Sequence, residues 1–109
     1  MNKRRALAFG IAVAVTLGVV ALAAPPNTKT VTLECGRGWK AGGGGVYGGV
    51  PFDVTCKNGR GSARIADPVG TVYSVRIGVE SDSVAGDCAF SGDAASAEHT
   101  CVEVLLTIR

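Results

Sequence analysis

The stretch CGRGWKAGGGGVYGGVPFDVTC, residues 35–56, decides how the chain is read: it sets eight glycines, the only tryptophan and one of two tyrosines between two cysteines. Its last six residues alternate, with Phe52, Val54 and Cys56 on one face and Asp53 and Thr55 on the other. That period of two is the mark of a half-buried strand. The residues leading into the stretch, TVTLEC, repeat the pattern, with Val31, Leu33 and Cys35 inward and Thr30, Thr32 and Glu34 outward. Each cysteine therefore shares a face with core residues, so a Cys35–Cys56 bridge would lie inside and join two strands. Between them Gly42 to Gly45 carry no side chain from which a period can be read, and the run predicts a mobile loop over 36–50.

Outward from this loop the punctuation is clear. Asn58-Gly59 predicts a turn, GSARIA a strand, and Asp67-Pro68 to Gly70 a second turn. TVYSVRIGVE is the longest alternating run, with Tyr73, Val75, Ile77 and Val79 buried and Arg76 and Glu80 in water. From Ser81 to Glu98 small and acidic residues predict loop, with a short strand around Cys88-Ala89-Phe90. HTCVEVLLTIR predicts a last strand with Val102, Val104, Leu106 and Ile108 inward. Cys101 would then face away from that row, and a Cys88–Cys101 bridge would lie at an edge or outer face. About six strands and no helix predict an all-β fold, a small antiparallel β-sandwich of Ig-like or Greek-key type spanning 31–109.

Ahead of this domain, Lys3, Arg4 and Arg5 precede an apolar run from Ala6 to Ala24, which ends in Ala21-Leu22-Ala23. A basic start, an apolar stretch and small residues at −3 and −1 predict a secretory signal peptide over 1–23, followed by a linker over 24–30. The run is 19 residues long, enough for an uncleaved membrane-anchor helix as the alternative. The basic residues would stay in the cytoplasm, so either way the domain works outside it, secreted or on the outer face of the membrane. Membrane contact is then expected only through this segment, and only if it is uncleaved.

An exported chain explains its four cysteines. Cys35, Cys56, Cys88 and Cys101 contain no C-x-x-C pair, and in an oxidising compartment they predict two disulfides rather than a metal site. Sequential pairing is the expected one of three connectivities, because both loops are local and close onto strands. Each bridge contributes about 3 kcal/mol on the loop-entropy estimate. A domain this small buries a limited fraction of its surface and depends on such staples.

Three of the eleven basic residues lie in the leader, so eight then face nine acids and the remainder carries −1. A polyanion partner draws no support from that total. The charges are unevenly spread: residues 29–64 hold six basic against two acidic, and residues 65–109 two against seven. If strands of the two halves interleave, these neutralise one another.

No motif carries a catalytic signature. Gly36, Gly38 and Ala41, and again Gly43, Gly45 and Gly48, match G-x-G-x-x-[GA] formally, but a phosphate site needs that loop to open a helix, which four glycines in a row forbid. No cofactor is therefore expected. His99 is the sole histidine, next to a strand, with no G-x-S-x-G in the chain, and reads as an exposed edge residue rather than a general base. Asp82, Asp87, Asp93 and Glu98 offer carboxylates, but a glycosidase needs a cleft between two of them. SDSVAGD also lacks the ligand spacing of a calcium loop. The cations Arg37, Lys40, Lys57, Arg60 and Arg64 with Trp39 and Tyr47 have the ingredients of a nucleic-acid groove, but export removes that target, and no nucleic-acid partner is expected.

What remains is Arg37, Trp39, Lys40 and Tyr47 within the glycine-rich stretch, the candidate binding residues: a ring on a loop with cations beside it. The competing reading is that Trp39 folds back to cap the core. The Cys35, Trp39, Tyr47, Cys56 order resembles that of the proteinaceous α-amylase inhibitors; their contiguous Trp-Arg-Tyr contact is absent, since Lys40 and Ala41 follow Trp39. The expectation is thus a non-enzymatic, disulfide-stabilised binding or surface module with a protein or cell-surface glycan partner. The alternative is an inhibitor of an extracellular hydrolase acting through the loop 36–50.

Overall fold

The computed structural model describes residues 27–109; the expected signal or anchor, 1–23, and the first part of the linker lie outside the described residues. Eight strands follow: β1 (Thr28–Cys35), β2 (Lys40–Tyr47), β3 (Val50–Thr55), β4 (Arg60–Ala66), β5 (Val72–Glu80), β6 (Ala85–Asp93), β7 (Ala97–Cys101) and β8 (Val104–Ile108). They form two four-stranded antiparallel sheets, β4-β1-β8-β7 and β3-β2-β5-β6. β1 begins three residues before the expected domain start at 31.

Alternation builds the core as read. Val31, Leu33, Ile65, Val104, Leu106 and Ile108 from the first sheet meet Phe52, Val54, Tyr73, Val75, Ile77 and Val79 from the second, all buried. Full burial of an aliphatic side chain of this size is worth about 1.5–3 kcal/mol, so the two facing rows supply the main force that holds the sheets together. The turns follow their residues. Gly48 and Gly49 make the two-residue β2–β3 connection at φ 55° and 80°, and Asn58 and Gly59 turn at φ 55° and 85°, the left-handed pair that a tight hairpin requires.

The glycine run corrects the loop reading. Gly42 to Gly45 lie in β2, an inner strand laddered along its length to β3 on one side and β5 on the other. Backbone hydrogen bonds need no side chain, so strand neighbours hold a segment in which the sequence shows no period. Phe52 and Val75 flank Gly45, and Val54 and Ile77 flank Gly43, covering the bare inner face of β2. At Gly43 a Cβ would fall onto the Arg76 carbonyl and lie 2.8 Å from the Ile77 Cα; the strands approach as they do because that atom is missing.

Both bridges have the expected partners, Cys35 with Cys56 and Cys88 with Cys101. Each links the two sheets. Cys35 ends β1, and Cys56 follows β3; both are half-buried against the core. Cys88 on β6 and Cys101 on β7 tie together the two edge strands of the other flank. Cys101 is 1% exposed, which corrects its outward reading. The expected last strand is in fact a hairpin: Val102 and Glu103 form a turn, and Cys101 pairs with Val104. Paired residues share a face, so Cys101 points inward with Val104, while Val102 is 53% exposed at φ 56°, an uncommon setting for a β-branched residue. Half of the expected acidic loop from Ser81 to Glu98 is likewise the nine-residue strand β6, and Ala97 and Glu98 open β7.

The chain halves do not interleave. β1 to β4 occupy one flank of both sheets and β5 to β8 the other, so the expected mutual neutralisation gives way to a sandwich with a basic flank and an acidic flank.

Candidate functional site

The four candidate binding residues come apart. Arg37, Trp39 and Lys40 lie at the start of β2, in and after a turn closed by the Trp39 N–H donating to the Gly36 carbonyl (2.9 Å). Arg37 and Lys40 are exposed, whereas Trp39 is half-buried and packs against the core. Tyr47 lies at the far end of the strand, about 23 Å away at the rise of an extended chain, and is 0% exposed. It presents no ring to solvent. Its hydroxyl donates to the Ala94 carbonyl (2.8 Å), and its ring stacks on Tyr73 at 6.1 Å. Burial first, then the neighbouring Asp93 charge and Tyr73, raise its pKa above the ordinary 10.0.

Beside Lys40 the structure opens a groove of about 690 Å³, lined by residues that end β3, start β2, end β5 and start β6. Gly42 and Gly78 are register partners and form its bare floor. Thr55 and Asp87 flank that pair on the outer strands, and Lys40 and Glu80 pair one row beyond. A side chain at either glycine would fill this space. The groove exists because two strands lack a side chain at the same level of the sheet. Its rim is mixed in sign, one cation facing two carboxylates, and no aromatic ring lines it. Only the register, in which Gly42 of the run meets the isolated Gly78, reveals this site; the sequence alone gives no sign that the two are neighbours.

His99 is not the exposed edge residue expected. It is half-buried, its Nε2 lies 2.8 Å from the Tyr73 hydroxyl, and its ring stacks on Phe90 at 4.5 Å. The imidazole thereby fastens β7 to both β5 and β6. The carboxylates Asp82, Asp87, Asp93 and Glu98 are exposed along the acidic flank; Asp93 accepts from the Thr71 hydroxyl at 2.5 Å and Glu98 pairs with Arg109 at 3.6 Å. Among the described residues no three of His, Cys, Asp and Glu converge as a metal-ligand set.

Compared with protein-family models, curated proteins and solved structures, the chain matches none.

Proposed function

We propose that the protein is a non-enzymatic binding module that works outside the cytoplasm, and that it contacts a protein partner through the groove between Lys40 and Asp87. The single observation that carries this reading is the paired-glycine floor, Gly42 beside Gly78, on an otherwise ordinary sheet face. The polar rim of Lys40, Glu80, Thr55 and Asp87 suits a partner segment bearing both signs of charge. A protein segment is favoured over a cell-surface glycan because a sugar ring is commonly held against an aromatic face, and the lining has none. Export is supported by two disulfides, which persist in oxidising compartments. A Greek-key sandwich is supported by the crossing from β4 in one sheet to β5 in the other and by the return of β8 beside β1.

The alternative, an inhibitor of an extracellular hydrolase, would now act through the short turn Gly36–Trp39, with Arg37 exposed at its tip, because the rest of the stretch is an inner strand. The two readings part in one experiment. The purified protein and its Gly42→Val and Arg37→Ala variants are used to capture partners from envelope and culture supernatant. At Gly42 a Cβ meets nothing nearer than the Thr55 hydroxyl at 3.4 Å, an ordinary contact distance, so a side chain there enters the groove. Loss of one specific partner with Gly42→Val supports the groove, and loss with Arg37→Ala alone supports the turn. Equal recovery of every partner with Gly42→Val contradicts the reading.

A further inference from the structure

The charge division between the two flanks is sharpest between β4 on one side and β6 and β7 on the other; β3, the second edge strand of the basic flank, carries the exposed Asp53. Residues 57–66, the turn into β4 and β4 itself, carry Lys57, Arg60 and Arg64 and no carboxylate; residues 85–101, covering β6 and β7, carry Asp87, Asp93 and Glu98 and no lysine or arginine. All six are exposed. β4 is an edge strand of the first sheet and β6 of the second, on opposite flanks. Charge on an edge strand ordinarily keeps copies of a chain apart, which requires like sign on the surfaces that would meet. Here the signs oppose. Residues 27–109 hold eight basic against nine acidic groups, so copies approach with almost no net repulsion while their flanks attract.

We propose that the partner of each flank is a second copy of this chain, the Lys57–Arg60–Arg64 flank of one molecule docking on the Asp87–Asp93–Glu98 flank of the next. Because the two surfaces differ, the contact is heterologous and a docked pair still offers one free basic flank and one free acidic flank, so association continues into a ring or a row rather than stopping at a dimer. Arg60 and Glu98 are already paired within the molecule, with Glu34 at 3.2 Å and Arg109 at 3.6 Å. Both pairs are exposed and therefore weak, so they exchange readily for contacts with a neighbour, and Lys57, Arg64 and Asp87 have no ion-pair partner among the described residues.

The test is sedimentation velocity across a concentration series, using the protein with its N-terminal segment as the producing cell leaves it. At low ionic strength the mean mass is expected to rise with concentration, and to return to the monomer in about 0.5 M salt, where the Debye length is a few ångströms. Lys57→Glu/Arg64→Glu and Asp87→Lys/Glu98→Lys are each expected to raise the concentration of half-association by about tenfold. An equimolar mixture of the two associates again, because each supplies the sign that the other has lost. A parent that stays monomeric at every concentration, association indifferent to salt, or association unchanged by both reversals would each overturn the proposal. Salt dependence of the parent alone is decisive should a reversal fail to fold.

Discussion

The Tyr73 hydroxyl and the Nε2 of His99 lie 2.8 Å apart, a hydrogen bond that joins β5 of one sheet to β7 of the other. Gly92, the register partner of Tyr73, makes room for it: a Cβ there would lie 2.6 Å from the same hydroxyl. His99→Ala removes both this bond and the stack on Phe90, and should lower stability by about 1–3 kcal/mol in urea unfolding. Tyr73→Phe, which loses only the bond, should cost about 1 kcal/mol. The double variant should cost less than the sum, because the hydrogen bond is lost only once.

The run Gly42 to Gly45 predicts opposite outcomes at adjacent positions. Gly43→Ala drives a methyl into the Arg76 carbonyl and should destabilise by about 1–3 kcal/mol or more, as overpacking does. Gly42→Ala meets only ordinary contacts and should be neutral or stabilising by up to about 1 kcal/mol, because it restricts the unfolded chain. Thermal and urea melts of the two variants decide this; equal effects would contradict the strand assignment.

Strands with large alternating residues were legible in the sequence: Tyr73 to Val79, Phe52 to Cys56 and Val31 to Cys35 all face as their pattern predicts. So was the pairing of the cysteines. Three things were not. β2 hides in four glycines because periodicity needs side chains, whereas the ladder that makes it a strand comes from β3 and β5, which flank it in space. The last hairpin hides because Val102 adopts a left-handed turn conformation that valine rarely takes. The groove hides because its floor depends on Gly42 meeting Gly78, a register fixed by pairing 36 residues apart rather than by either local sequence.

Tyr47 predicts an alkaline limit. Its folded pKa lies above the unfolded value, so its contribution to stability is fully present below about pH 10 and is lost as pH rises through the folded value, where the unfolded state has already given up the proton. Unfolding free energy should therefore fall above about pH 10, measured by urea unfolding across the alkaline range. Tyr47→Phe should flatten this decline while losing about 1 kcal/mol at neutral pH with the bond to the Ala94 carbonyl.

The two disulfides span the sheets at opposite flanks, with sequence separations of 21 and 13. Replacing either pair by alanine should lower stability by about 3 kcal/mol, measured by urea unfolding. A peptide map of the non-reduced protein should show Cys35 linked to Cys56; a Cys35–Cys101 fragment would contradict the topology.

The groove exists only if Gly42 to Gly45 form a fixed inner strand, and amide hydrogen exchange at these four glycines measures that. Protection comparable with that of Val75 and Ile77 on the adjoining β5 is expected, with exchange slowed until the sheet opens as a unit. Exchange of these glycine amides at the rate of an open loop, while β5 stays protected, would contradict the inner strand.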